Sequence, residues 1–108
     1  SDVTIEIDFA GVPFLPGVWD YIDRGIVPGG TERNLDSLRG SVQWPQHFGE
    51  ARKVALADAQ TSGGLAIVVA EKKVSELRSA LKSRNVAVRA EIGRVVPRGD
   101  FPLVVLDQ

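Results

Sequence analysis

The sequence lacks several residue types on which common functions depend. There is no cysteine and only one histidine among its 108 residues. Disulfide frameworks, thiolate metal sites, cysteine nucleophiles and multi-histidine metal sites are therefore excluded. Positive charge is not in excess either, because 13 basic residues stand against 14 acidic ones, so the basic face of a nucleic-acid binder is not expected.

Long apolar runs are also missing. No run approaches the roughly 18–20 residues of a membrane span, and the sequence does not open with a signal peptide. The sequence predicts a protein that binds neither nucleic acid nor membrane. Methionine is absent as well, and from this we expect a piece cut from a longer protein.

The residues that are present predict one small domain over residues 1–108, in which helices cover a mixed sheet. Apolar and polar residues alternate over residues 3–9, as in a strand with one buried face. The continuous apolar run 65–70 predicts a central strand covered on both faces. Further strands are predicted over 42–45, 86–92 and 103–106, the last at an edge, and helices over about 17–24, 35–38, 48–57 and 72–84.

Residues 28–34 form the first of two segments that could bind a ligand. Gly29, Gly30 and Thr31 are followed by Arg33, and Asn34 is a candidate N-cap for the helical turn 35–38. Backbone N–H groups at a helix start, with Arg33 beside them, could hold an anion. The alternative is a structural loop in which the glycines relieve backbone strain and Thr31 and Asn34 bond neighbouring backbone.

Residues 58–64 form the second segment, which is polar and rich in glycine. It runs from a helix to a strand and lacks the Gly-Lys-Ser/Thr ending, so it differs from a phosphate loop. Its N–H groups could line a pocket, or it could simply end one helix and start a buried strand. Asp58 would lie at a helix C-terminus, where a carboxylate is disfavoured. We expect nearby hydrogen-bond donors to stabilise this carboxylate, with the hydroxyls of Thr61 and Ser62 as candidates.

No catalytic set is visible in the sequence. His47 has no orienting partner and is interpreted as a packed or surface residue. Ser62 is not in a nucleophile elbow. No catalytic residue and no metal ligand is predicted.

Four strings together resemble the C-terminal domain of selenophosphate synthetase (selenide, water dikinase). Pro-Gly-Gly-Thr-Glu-Arg-Asn at 28–34 and Asp-Ala-Gln-Thr-Ser-Gly-Gly-Leu at 58–65 are similar to the two long motifs of that family. Val-Pro-Phe-Leu-Pro-Gly at 12–17 and Ile-Gly-Arg-Val-Val at 92–96 resemble two shorter ones. One departure is Ala59, where the family usually has proline.

The resemblance implies a fold shared with the C-terminal domain of aminoimidazole ribonucleotide synthetase. This is an α+β (α/β) domain with a mixed, mainly antiparallel sheet and packed helices. The full enzyme would transfer phosphate from ATP to selenide with Mg²⁺, releasing AMP and phosphate, in the cytoplasm. Its catalytic residues belong to an N-terminal domain, so this chain would be accessory, would itself carry no cofactor, and would pack against that domain.

The resemblance also supplies the candidate site, whose members would face phosphate or the neighbouring domain. They are Gly29, Gly30, Thr31, Arg33, Asn34, Asp58, Gln60, Thr61, Ser62, Gly63 and Gly64.

Two alternative functions remain open, and the sequence also predicts that two copies of the chain associate. The chain could be a stand-alone ligand-binding or regulatory module with partial ferredoxin-like topology that dimerises through its sheet, motivated by the strand–helix–strand pattern over 65–92. It could also be a sister synthetase of the same superfamily, although the Gln-Thr-Ser-Gly-Gly string at 60–64 is against this.

The family's domain begins with a helix ahead of Val3 that covers part of the sheet. Without it, Val3, Ile5 and Ile7 could be uncovered, which predicts a homodimer through that face.

Overall fold

The computed structural model describes residues 1–107. In chain order the elements are β1 (Val3–Asp8), a 3-10 turn (Phe9–Gly11), α1 (Val18–Asp23), α2 (Gly29–Ser37), β2 (Val42–Gln43), α3 (Glu50–Leu56), a second 3-10 turn (Glu71–Lys73), α4 (Val74–Ser83), β3 (Gly93–Pro97) and β4 (Leu103–Leu106). Helices and a four-stranded mixed sheet make this an α+β fold, which confirms the predicted class.

The strands lie in the order β2-β4-β1-β3. β1 pairs antiparallel with β3, and β4 pairs parallel with both β1 and β2. Two of the three pairings are thus parallel, so the expected antiparallel majority is not found. β4 is an interior strand rather than the predicted edge, since its Leu-Val-Val-Leu run has neighbours on both sides.

β1 and β3 approach each other closely at Gly93. A Cβ on Gly93 would coincide with the Glu6 carbonyl oxygen and lie 3.1 Å from the Ile7 Cα. Gly93 therefore permits a tight strand pairing that a side chain would prevent. Beside it the Arg94 Nε donates to Glu6 Oε2 at 2.6 Å. This hydrogen bond, and then the charge of Glu6, raise the pKa of Arg94 above its usual value.

The core lies on one face of the sheet, at its β2–β4 side. Val42, Phe48 and Val105 are buried together, and the Phe9 ring meets the Phe48 ring edge-on at 5.1 Å. The Arg52 guanidinium lies 5.1 Å from the Phe9 ring centre. At the other side the same face is open, because Ile5 and its partner Val95 are both about two-fifths exposed.

Three predicted elements differ from the structure. Residues 28–34 are not a loop, because α2 begins at Gly29. Residues 65–70 and 86–92 form no strand, so the ferredoxin-like strand–helix–strand unit is not built by the described residues. Both segments are rich in β-branched residues, yet neither finds a strand partner, and propensity alone does not make a strand. α4 forms as predicted, and Asn85 follows it at φ 58°.

Within residues 1–107 no helix has the length and apolar character needed to cross a membrane.

Candidate functional site

The two glycine-bearing segments meet in the structure. The first turn of α2 packs against the loop that follows α3, which we call the 58–64 loop. A Cβ on Gly30 would lie only 3.0 Å from the Ala59 Cβ, so the backbone of α2 approaches this loop more closely than most side chains would allow. Pro28 is the N-cap residue of α2, where its fixed φ suits a helix N-terminus, and it forms no side-chain cap hydrogen bond.

Thr31 makes the central contact between the two segments. Its side chain is fully buried. The hydroxyl donates to Asp58 Oδ1 at 3.0 Å and accepts from the Ala59 N–H at 3.1 Å. One hydroxyl on α2 thus satisfies both a carboxylate oxygen and a backbone donor of the 58–64 loop.

Asn34 and Gln60 complete the network. Asn34 Nδ2 donates to the Ala57 carbonyl oxygen at 2.9 Å, which satisfies an acceptor at the C-terminus of α3. Gln60 Nε2 donates to Asp58 Oδ2 at 3.3 Å. Both oxygens of Asp58 are therefore engaged. The compensation expected for this carboxylate comes from Thr31 and Gln60, and the predicted donors Thr61 and Ser62 are wrong.

The other candidate residues remain accessible. The Arg33 guanidinium lies over the first turn of α2, 3.7 Å from the position of a Cβ on Gly29 and 3.8 Å from one on Gly30. It forms no ion pair with another described residue. The exposed members of the 58–64 loop are Thr61, Ser62, Gly63 and Gly64.

The predicted set therefore divides into four residues whose side chains form hydrogen bonds within the protein and an accessible half. We call the four residues the latch: Thr31, which is buried, and Asn34, Asp58 and Gln60, which are exposed. The accessible half, with Arg33 and the start of a helix, presents positive charge and backbone donors to solvent. Sequence reasoning missed that Ala57 and Ala59 are latch partners, since both act through backbone atoms. One signal in the sequence could have indicated these partners. Asp58 is a carboxylate at a helix C-terminus, so it needs hydrogen-bond donors nearby.

No three histidine, cysteine, aspartate or glutamate side chains of residues 1–107 converge on a metal position. His47 is exposed, with φ 57°. What the geometry defines is an α+β domain in which a side-chain latch holds a glycine-rich loop against the start of a helix.

Comparison with known proteins identifies the family. The chain is 42% identical over 102 residues to the selenide, water dikinase of Photobacterium profundum, covering 90% of this chain and 28% of that protein. It is 35% identical over 105 residues to that of Clostridium botulinum (strain Eklund 17B / Type B), covering 97% of this chain and 30% of that protein. No protein-family model matches the chain.

The chain belongs to the selenide, water dikinase, or selenophosphate synthetase, family, and the resemblance stated from its motifs is confirmed. It spans less than a third of the length of these curated relatives.

Proposed function

We propose that this chain is the C-terminal, accessory domain of a selenide, water dikinase. The full enzyme would make selenophosphate from selenide, ATP and water, with release of AMP and phosphate. The observation that carries the proposal is the latch: the residues that join α2 to the 58–64 loop are those of the two motifs shared with the family. The catalytic groups would come from an N-terminal domain, and the enzyme would act in the cytoplasm.

The accessible half of the site is proposed to face that N-terminal domain. Thr31 holds Asp58 and Ala59, and Asn34 holds the preceding Ala57 carbonyl, so the start of the 58–64 loop is oriented before any partner arrives. Arg33, which forms no ion pair with another residue in 1–107, supplies a cation beside them. Phosphate groups bound between the two domains would then meet Arg33 and backbone N–H groups, a combination that suits anions.

The described residues do not fit the Mg²⁺ that the family resemblance implies for the full enzyme. No suitable cluster of carboxylates forms in residues 1–107. Asp58, the one carboxylate of the site, already accepts hydrogen bonds on both oxygens. We therefore assign no Mg²⁺ site to the described residues.

The regulatory-module alternative has less support. It depends on a strand–helix–strand unit over residues 65–92, and neither flanking segment is a strand here. No observation favours it over the accessory domain.

The role of Arg33 can be tested in a chimaera. Residues 1–108 would replace the matching segment of the Photobacterium profundum relative, and selenide-dependent AMP formation would be measured. We expect the chimaera to be active and Arg33→Ala to lower its kcat/KM about ten-fold or more, because a charge-assisted contact to phosphate contributes about 1.5–3 kcal/mol.

Arg39→Ala in the same chimaera is the matched control. Arg39 also lies near α2 and is well exposed, and within residues 1–107 it pairs only with Asp36, so its loss should leave kcat/KM unchanged. Equal effects of the two substitutions would contradict the proposed role of Arg33. ATP turnover by the 108-residue chain alone would contradict the accessory function.

A further inference from the structure

Residues 72–89 form a basic region that the even charge balance of the whole chain conceals. They carry six basic side chains and one acidic one, whereas the chain has a net charge of -1. Three of the six cations, Arg78, Lys82 and Arg89, line one open cleft of about 510 Å³, which we call the α4 cleft. Ligand sites in proteins generally have volumes of about 300–1,000 Å³, so the α4 cleft has room for a small molecule.

α4 supplies one wall of this cleft. Ser75, Arg78, Ser79 and Lys82 are spaced three or four residues apart, so they share one face of the helix. All four line the cleft. Two hydroxyl groups therefore lie beside a guanidinium and an ammonium group. Donors of these three kinds commonly bind the oxygens of phosphate groups.

Arg89 belongs to the segment that faces α4 across the cleft, and the protein itself orients its side chain. Nη1 of Arg89 donates to the carbonyl oxygens of Val86 and Ala87, and the residue is half-buried. A guanidinium carries five N–H donors, so Nε and Nη2 remain for a ligand. Because Arg89 is held before a ligand arrives, less conformational entropy is lost on binding.

The two carboxylates of the lining leave positive charge at one end of the cleft. Glu91 accepts from Arg78 at 3.0 Å, so these two charges offset each other. Glu71 precedes α4 and lies about three helical turns from Lys82. Neither Lys82 nor Arg89 forms an ion pair with another residue in 1–107. The end of the cleft around these two side chains is therefore attractive to an anion.

The C-terminus of α4 opposes this attraction only weakly. A helix C-terminus carries the equivalent of about half a negative charge. Its Ala80 carbonyl oxygen already accepts from Ser83 Oγ at 2.8 Å and from Arg84 Nη1 at 3.4 Å. Arg84 adds a further cation beside Lys82, so the positive charges outweigh the helix dipole.

We propose that the α4 cleft binds a small molecule that carries two or more phosphate groups. One phosphate would contact Lys82 and Arg89, and another would accept from the hydroxyls of Ser75 and Ser79. These donors extend over about 10 Å along α4, which is longer than one phosphate group. The cleft shares no residue with the candidate site that contains Arg33, and its ligand is independent of the proposed enzymatic role.

Isothermal titration calorimetry of the 108-residue chain with inorganic tripolyphosphate tests this proposal. We expect one site per chain, with a dissociation constant below about 1 mM at low salt. Lys82→Ala and Arg89→Ala should each weaken binding about ten-fold, because each removes a charge-assisted contact to phosphate. Circular dichroism would verify that the variants are folded. In the parent chain, the amide chemical shifts of Ser75 and Ser79 should change when tripolyphosphate is added.

Lys72→Ala is the matched control, because Lys72 is an exposed cation of the same basic region that does not line the cleft. Its affinity for tripolyphosphate should equal that of the parent chain. Equal losses from Lys72→Ala and Lys82→Ala would overturn the proposal, since binding would then follow overall charge. Equally tight binding of hexaglutamate would overturn the choice of phosphate.

Two further outcomes would also overturn the proposal. The first is the absence of tripolyphosphate binding both by heat and by chemical shift. The second is binding that Arg33→Ala abolishes and Lys82→Ala leaves intact, because the anion would then occupy the start of α2. That second outcome would support the proposed role of Arg33, so the two sites are tested separately.

Discussion

Gly93→Ala is expected to destabilise this protein more than any other single methyl addition considered. The new Cβ would coincide with the Glu6 carbonyl oxygen and press on the Ile7 Cα. Both are backbone atoms in the middle of β1, so neither can move aside as a side chain could. Relief requires β1 and β3 to separate along their whole pairing. We expect a loss of about 3 kcal/mol or more in the free energy of unfolding, measured by urea denaturation.

Gly64→Ala provides the control for this change. A Cβ there meets nothing within 4 Å, and the backbone is not left-handed. Its free energy of unfolding should stay within about 0.5 kcal/mol of the parent value. If the two variants unfold at the same urea concentration, the close pairing of β1 and β3 at Gly93 is incorrect.

Thr31→Val should have the second-largest effect. Valine keeps the shape of the side chain and removes the hydroxyl, so Asp58 Oδ1 loses a donor and the Ala59 N–H loses its acceptor at a fully buried position. Thr31 itself is buried, whereas Asp58 and Ala59 are exposed, so water can reach the groups that lose their partner. Each lost hydrogen bond then costs about 0.5–1.5 kcal/mol. We expect a decrease of that size in the free energy of unfolding, together with faster hydrogen exchange at the Ala59 amide.

Thr31→Ser separates the hydroxyl from the methyl group. Serine can still bridge Asp58 and Ala59, so most of the stability and the protection of the Ala59 amide should return. Thr61→Val, at an exposed position of the same loop, should be nearly neutral. Should Thr31→Val and Thr31→Ser behave alike, the hydroxyl would not be what joins the two segments.

Local patterns were enough to predict several elements of this fold. The alternation over residues 3–9 matches β1, and the spacing of Val74, Leu77 and Leu81 matches α4. Gly25 follows Arg24, the C-cap residue of α1, with φ 73°, as expected of a glycine that ends a helix. These features depend on neighbours within a few residues, which the sequence displays directly.

Features that depend on distant partners could not be predicted in the same way. Two glycines at the start of α2 suggest a loop, but the helix is held by Thr31 and Asn34, which bond residues 23 or more positions away. Tertiary contacts of this kind override weak helix propensity. Residues 65–70 have strand propensity. Whether they form a strand depends on a sheet edge with which they can pair, and no local pattern shows where such an edge lies.

The candidate site shows the same contrast between features set by sequence neighbours and features set by distant partners. The two motifs meet in the structure through Thr31 and Asp58, a contact that was not among the predictions from the sequence. The role of these residues toward phosphate or a neighbouring domain stays a prediction. Asn34 lies inside α2 and bonds the Ala57 carbonyl instead of capping a helix. Which side chains are engaged within the protein and which stay accessible depends on geometry alone.

The interior position of β4 affects how the chain folds during its synthesis. β4 is the last strand in chain order, yet it joins β1 to β2, with Leu103 beside both Ile5 and Val42. While a nascent chain still lacks residues 103–106, the two earlier strands cannot belong to one sheet. Contacts so distant along the chain form slowly. We therefore expect an unfinished polypeptide to depend on chaperones until β4 leaves the ribosome.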